Sequence, residues 1–412
     1  MEYSSGNDGH ATDHCDNLPQ HCSGVPASSQ RSFAARMTVS LNEDTQNTLR
    51  IASFAACHCV TGVENALNHG FPMNSSKIRS CLAMTIPSVS VLLAAVWAIG
   101  EILRDRNWWM GLMFYFPTPV LVAWLLFAIV ICRTRRRMHF ILLIAPLLML
   151  LGVENQWIRP VRTSTIAGKS RIDKSAASSD AASSAANLSE AILPQKEGGP
   201  NSKRLIHWNV GRGRLGWEKQ WRHIERLNPD IIVISEIPEP FDPATMIGFD
   251  VLTVHGMAVA CHGSMTKSRT LVRGGALNAY HVTCQLSEGP FELMVADMTS
   301  HVTVQRDLYL RPFVALLAER KIDVSVGDFN APRRSLAFCE LPAGFQHSYI
   351  AAGAGWSYTW PVPVPCLAID QCINGPRARP MHYELQSTML SDHRLQILDF
   401  EWLPGSQGFL RR

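Results

Sequence analysis

The sequence predicts an α+β domain of layered β-sheets, preceded by a transmembrane helical region. Three observations lead there. Apolar blocks crowd between residues 81 and 153, a Ser/Ala-rich stretch follows, and from Arg204 onward short β-like runs mix with few helical ones. The 412-residue chain is 47% hydrophobic but only 17% charged, against roughly 25% for soluble domains. A net charge of +4 argues against a polybasic nucleic-acid coat. Eleven cysteines without a CxxC pair argue against a zinc finger. Length and pattern exclude collagen, coiled-coil and small disulfide scaffolds.

The helical region is assigned to residues 76–157. Its first block, Cys81 to Gly100, is about twenty residues without a charge, enough at 1.5 Å per residue to cross a ~30 Å hydrocarbon layer. The second, Trp108 to Cys132, carries Trp108, Trp109 and Trp124 where interfacial aromatics sit. The third, Phe140 to Val153, is the shortest; Met138, His139 and Trp157 extend it toward a full span. Pro117, Pro119 and Pro146 would break soluble helices but are accommodated by neighbouring spans in lipid. Three such runs leave almost no polar face, so buried helices of a globular protein fit less well. A cleaved signal peptide fits poorly so far from the N-terminus. Arg133, Arg135, Arg136 and Arg137 assign the loop between the second and third blocks to the cytoplasm, with Lys77 and Arg79 on the same side. Three spans then put everything after Trp157 outside the cytoplasm; two would invert that.

Residues 1–75 are polar, without sustained periodicity, and read as a disordered tail. Met37 and Met73 are alternative starts, the second leading into the first span through a basic stretch. Residues 158–203, including the Ser/Ala run after Lys174, read as a flexible linker that lets the next domain, 204–412, stand off from the bilayer.

Within 204–412, Leu205 to Val210 reads as a strand, Trp217 to Leu227 as an amphipathic helix and Asp230 to Glu236 as a buried strand. Ala276 to Gln285 and Phe291 to Ala296 are further strands, and Val304 to Arg320 is a helix. Asp323 to Asp328, Ala368 to Ile373 and Arg394 to Phe400 complete the set. Helices do not alternate regularly with strands, which favours layered sheets over a doubly wound parallel sheet.

Polar residues recur at the ends of these strands: Asn209, Glu236, Asp328 with Asn330, Asp370, and Asp392 with His393. Singly, Asn209 or Asp328 would be a strand terminator making a side-chain turn. Gathered at one sheet edge, they form an oxygen-rich pocket suited to Mg²⁺ or Mn²⁺, which would stabilise charge building on a phosphoryl centre. His393 adds a proton-transferring or oxyanion-stabilising group.

These pieces together resemble the endonuclease/exonuclease/phosphatase superfamily. The matching segments are His207-Trp-Asn-Val210, Asp230 to Glu236, Gly327-Asp-Phe-Asn-Ala-Pro332, Ile369-Asp370 and Ser391-Asp-His393. The resemblance covers residues 204–402 and implies a four-layer α/β sandwich of the DNase I type, two β-sheets flanked by helices. It implies Glu236 as principal metal ligand with Asn209 beside it, and Asp392 completing the shell through water. Asp328 would orient or deprotonate the attacking water, Asn330 would bond a phosphate oxygen, and His393 would stabilise the transition state, fixed by Asp370. One position departs: the strand before the long helix ends in Asp297 where the family places a His or Tyr donor. His301 or Arg306 would have to substitute. Arg212, Arg214, Arg333 and Arg334 suggest a basic rim, and Trp360 a stacking surface against base or sugar.

The implied activity is a membrane-anchored, metal-dependent phosphodiester hydrolase of the nuclease/phosphatase type, acting outside the cytoplasm. Its alternatives are a sphingomyelinase-like lipid phosphodiesterase, whose partner would be the bilayer itself, and a catalytically degraded binding module. No protein partner is implied. From Arg204 to the end, twenty basic residues meet twenty acidic ones, which is not a duplex-binding signature. On an oxidising side, Cys261, Cys284, Cys339, Cys366 and Cys372 leave room for one or two disulfides.

Overall fold

The computed structural model describes residues 75–132, 135–157, 202–272 and 275–403. The expected tail and linker therefore lie almost wholly outside the described residues. Residues Ser76–Arg412 form one compact unit.

Four helices open it: α1 (Ser75–Leu103), α2 (Trp108–Phe114), α3 (Thr118–Ile131) and α4 (Arg136–Leu148), the last prolonged by a wider turn to Glu154. Among the described residues, Met84–Leu103 and Arg136–Glu154 are long and apolar enough to cross a membrane. The second apolar block is not one helix. Its halves, α2 and α3, pass that test only as a pair and are bent by 50°. Pro117 and Pro119 explain the break: a proline ring fits the first turn of a new helix but not the interior of a continuing one. The third block reaches span length because Arg136–His139 supply its first turn.

Twelve strands follow among the described residues. In chain order they are β1 (Ser202–Asn209), β2 (Ile231–Ser235), β3 (Asp250–Val254), β4 (Met257–Cys261), β5 (Ser264–Val272) and β6 (Leu277–Leu286). Then come β7 (Gly289–Met298), β8 (Val324–Asp328), β9 (Gln346–His347), β10 (Asp370–Asn374), β11 (Ala378–Gln386) and β12 (Leu395–Trp402). They form two six-stranded sheets, β11-β12-β1-β2-β4-β3 and β5-β6-β7-β8-β10-β9. Each sheet repeats one plan. A central parallel pair is joined through a helix: β1 to β2 through α5 (Trp217–Arg226), and β7 to β8 through α6 (Asp307–Glu319). Antiparallel strands flank each pair.

Period-2 alternation makes the four layers. Leu205, Val233, Val295 and Val326 face each other between the sheets. Ile206, Ile232 and Ile234 turn outward onto Trp221 and Ile224 of α5. Met294 and Ala296 turn onto Leu310, Phe313 and Leu317 of α6.

The sandwich rests directly on the helix ends. Arg334 bonds Glu101 of α1 and lies 3.3 Å from Glu154 at the end of α4. Tyr358 donates to Glu154, the Ser357 N–H to Asn155 (2.6 Å) and the Leu336 N–H to Asp105 (2.9 Å). Tyr358 and Ala368 also enter the apolar cluster of Trp97, Leu121 and Leu150. The domain is therefore docked, not held off on a tether, because paired charges and shared apolar burial fix it to the helices. Cys132, Cys261, Cys284, Cys339, Cys366 and Cys372 are free thiols, so the last five do not form the expected bridges.

Candidate active site

Strands β1, β2, β7 and β8 end, and β10 and β12 begin, at one end of the sandwich. Register aligns the carboxylates there: Asp328 stands opposite Asp297 on parallel β7 and opposite Asp370 on antiparallel β10. The other sheet contributes Asn209 from the end of β1, Glu236 just past β2 and His393 just before β12. Gly327 is required beside Asp328, because a Cβ there would lie 1.8 Å from the Ala296 carbonyl oxygen. Glu236 and Asn330 have φ of +49° and +46°. This left-handed backbone costs a non-glycine residue roughly 1–3 kcal/mol and concentrates at functional positions.

One amide joins the two sheets. Asn209 Nδ2 donates to Glu236 Oε1 (3.2 Å) and to Asp328 Oδ2 (3.1 Å), while its Oδ1 accepts the Gly211 N–H (3.0 Å). His393 Nδ1 lies 3.0 Å from Asp370 Oδ2, and its Nε2 is 3.9 Å from Asp328. Asp328 Oδ1 accepts the Asn330 N–H (2.9 Å), and Asn330 Nδ2 donates to the Met298 carbonyl (2.7 Å).

Two supports were not read from the sequence. Thr359 Oγ1 accepts the N–H groups of Ile369 and Asp370 (3.1 and 3.2 Å). Ser391 Oγ donates to the Asn209 carbonyl (2.6 Å) and accepts the His393 N–H (3.1 Å). A hydroxyl acting across such sequence distances leaves no spacing signal; only Ser391, inside the Ser-Asp-His motif, was in view.

The electrostatics are those of crowded negative charge. Burial raises Asp328 well above the carboxylate range, and Asp370 adds to it. Burial, then Glu236 and Asp370, push Asp297 up to about 7. Burial alone would lower His393, but the charge and hydrogen bond of Asp370 overrule it and hold the imidazole at about 9. Burial would likewise raise Asp370; His393 reverses this and keeps it low.

The remaining sequence candidates are placed as follows. Asp392 is exposed and accepts from Trp360 Nε1 (3.1 Å), and the Trp360 ring lies 6.5 Å from that of His393. Arg212 is exposed, 3.9 Å from Glu236. His301 is exposed on the loop between β7 and α6, where Arg306 bonds its carbonyl. Arg333 is not at the rim. Its guanidinium lies 4.3 Å over the Tyr349 ring, a cation–π contact that draws it beneath the surface. Arg334 likewise serves the helix interface.

Two arrangements of donors compete for a cation. Ligand atoms of Asp328, Asp370 and His393 lie within 4.8 Å of one another. The imidazole, however, is already paired with Asp370. Glu236 and Asp328, bridged by the Asn209 amide, offer carboxylate oxygens with a solvent-facing side at Glu236, which suits a hard ion better. Asp370 Oδ1 is buried with no hydrogen-bond partner, a further sign of uncompensated negative donors. The residues present fit a divalent cation.

Two six-stranded sheets packed face to face with helices on their outer faces form the four-layer α/β sandwich that the sequence motifs implied. The chain is similar to the humanized D. rerio TDP2 (17% identity, TM-score 0.41), over 48% of this chain and 99% of that one. It is similar to a 3'-5' exonuclease of Neisseria meningitidis (14%, 0.40; 48% and 100%) and to the human Nocturnin catalytic domain with bound sulfate (16%, 0.39; 49% and 95%). No protein-family model and no curated protein matches the chain.

Proposed function

We propose that the chain is a membrane-anchored, divalent-metal-dependent phosphodiester hydrolase whose sandwich lies outside the cytoplasm. The observation that carries the reading is the convergence of Asn209, Glu236, Asp328, Asp370 and His393 from five separate strand ends. Glu236, beside Asn209, would hold Mg²⁺ or Mn²⁺, with Asp392 reaching it through water. Such an ion, when bound, stabilises charge accumulating on phosphate oxygens. Asp328 takes the proton of the attacking water. His393, kept cationic by Asp370, donates from Nε2 to a non-bridging oxygen, and the second N–H of Asn330 is a neutral donor beside it.

The helix directions support the anchoring. The C-terminal ends of α1 and α4 both touch the sandwich, and α3 runs back between them. With three passes, the sandwich would lie on the side opposite the basic stretch that Arg135, Arg136 and Arg137 carry.

The test uses the full chain in nanodiscs with bis(p-nitrophenyl) phosphate and Mg²⁺ or Mn²⁺. Turnover should stop in excess chelator and in Glu236→Gln, with the thermal midpoint retained. Turnover that persists unchanged under both overturns the metal-dependent reading. Phosphate binding without turnover in the wild type would leave a binding module instead.

A further inference from the structure

We propose that Glu154, at the end of α4, is a positioning residue that sets two loops of the catalytic end against each other. The inference rests on the hydrolase reading above and concerns how that same site is held.

Glu154 is the first charge after the apolar run Phe140 to Val153, and a widened turn aims it. The Asn155 N–H closes on the Leu150 carbonyl, five residues back (3.2 Å), and wide turns of this kind recur at functional sites. Three elements converge on the carboxylate. Thr118 Oγ1 of α3 donates to Oε1 (2.9 Å), Arg334 Nη1 lies 3.3 Å from the same oxygen, and the Tyr358 hydroxyl donates to Oε2. The Glu154 side chain is only 14% exposed, so water is a poor replacement for these partners.

Both sandwich partners lead into the site. Arg334 lies six residues beyond Asp328 and four beyond Asn330. Tyr358 belongs to a buried segment, Ser357-Tyr358-Thr359, that is bonded on two sides. Toward the helices, the Ser357 N–H reaches Asn155 Oδ1 (2.6 Å) and its Oγ the Glu154 carbonyl (2.6 Å). Toward the site, Thr359 Oγ1 accepts the Asp370 N–H (3.2 Å), and the Thr359 carbonyl accepts the N–H of Arg394 (2.8 Å), the residue after His393. Arg394 Nη1 also donates to the Tyr358 carbonyl (3.1 Å). The Asp370–His393 pair therefore hangs on the residue next to the one that Glu154 anchors.

Asp328 and Asp370 are fixed to each other by sheet register. His393 comes from the other sheet, with Nε2 3.9 Å from Asp328, and the two loops tied to Glu154 meet at that gap. A shift of about 1 Å between groups that must act on one phosphate can cost about 10²-fold in rate. Glu236 and Asn209 are placed instead by β2, β1 and their own hydrogen bond (3.2 Å), so metal affinity should not follow Glu154.

The test measures kcat, KM and the Mg²⁺ concentration at half-saturation for bis(p-nitrophenyl) phosphate, using the full chain in nanodiscs below each variant's thermal midpoint. Glu154→Leu, in which Arg334 retains Glu101, should lower kcat by about 10–100-fold and leave KM and Mg²⁺ half-saturation within about twofold. Glu154→Gln keeps an acceptor for Tyr358 and should recover most of the loss. Tyr358→Phe cuts one hydroxyl and keeps the ring; it should lower kcat about tenfold, and it decides the question if Glu154→Leu does not fold. Gln305→Ala gives up a bond to the Arg106 carbonyl at the same interface and should leave kcat unchanged. An unchanged kcat in either folded Glu154→Leu or Tyr358→Phe, an effect confined to KM or Mg²⁺, or an equal loss in Gln305→Ala overturns this inference and leaves the hydrolase reading intact. A wild type that is inactive with metal removes the hydrolase reading, and this inference with it.

Discussion

Two clusters of buried charge lie within a few residues of each other on the same loops, and they are balanced differently. At the helix interface, Arg334 faces Glu101 and Glu154, and Tyr358 completes the set. Burial would lower Arg334, but Glu101 outweighs it and keeps the guanidinium charged. At the catalytic end, Asp297, Asp328 and Asp370 stand in register on adjacent strands, an arrangement in which like charges oppose folding. His393 is the cation paired there, and Asp328 and Asp297 are pushed up as a result. The first cluster is complete and holds the fold together. The second has carboxylates in excess of its one paired imidazole, the arrangement the proposed cation would balance.

Asp328→Asn breaks this comparison most sharply. It removes the proposed general base, so turnover of bis(p-nitrophenyl) phosphate should fall by about 10²–10⁴-fold. It also removes a repelled buried charge, so the metal-free thermal midpoint should rise. A midpoint that falls would mean that the carboxylate holds the fold, and the distinction between the clusters would be lost. Arg334→Met should do the opposite. It leaves Glu101 and Glu154 without their cation and should cost about 3–5 kcal/mol in denaturant unfolding. A loss under about 1 kcal/mol, typical of exposed pairs, would show the interface to be held by apolar contact instead. Asp370→Asn sits between the two. It leaves His393 in place without its orienting partner, and a 10–100-fold loss in kcat is expected. An unchanged kcat would mean that the imidazole needs no help from that hydrogen bond.

The sequence showed the catalytic end more clearly than the frame around it. Asn209, Glu236, Asp328, Asp370 and His393 were visible because each sits where an apolar run stops, and apolar runs mark central strands. Strands β3, β4, β5, β9 and β11 were not read. The edge strand β3 is half solvated and β5 is rich in polar residues, while β11 carries Pro380 at a register shift. The fate of Arg333 was illegible, because a basic residue beside a motif says nothing about a tyrosine face arriving from another loop. The docking of the sandwich was hidden for the same reason. Glu101, Glu154 and Arg334 are far apart in the chain, and each alone reads as a surface charge. The repeat of plan between the two sheets left no sequence trace, since strand order is a property of pairing and not of composition.

The smallest expected effect tests whether burial alone acts as it does among the carboxylates. His347 is buried in β9, with both ring nitrogens lacking hydrogen-bond partners and its ring 5.4 Å from Phe338, edge to face. Burial first, and then Arg333, lower its imidazole well below the usual histidine value. The folded chain therefore keeps it neutral where the unfolded chain takes up a proton. Below pH 6.5 the unfolded state binds more protons, so this group's contribution to stability is full above that pH. It is lost as pH falls toward the folded-state value, by at most about 1.4 kcal/mol per pH unit. Unfolding free energies measured across the acid range should show this slope in the wild type and a shallower one in His347→Leu. Parallel curves would mean that the imidazole finds a partner or water in the folded chain, and the burial argument would then weaken at the catalytic end as well.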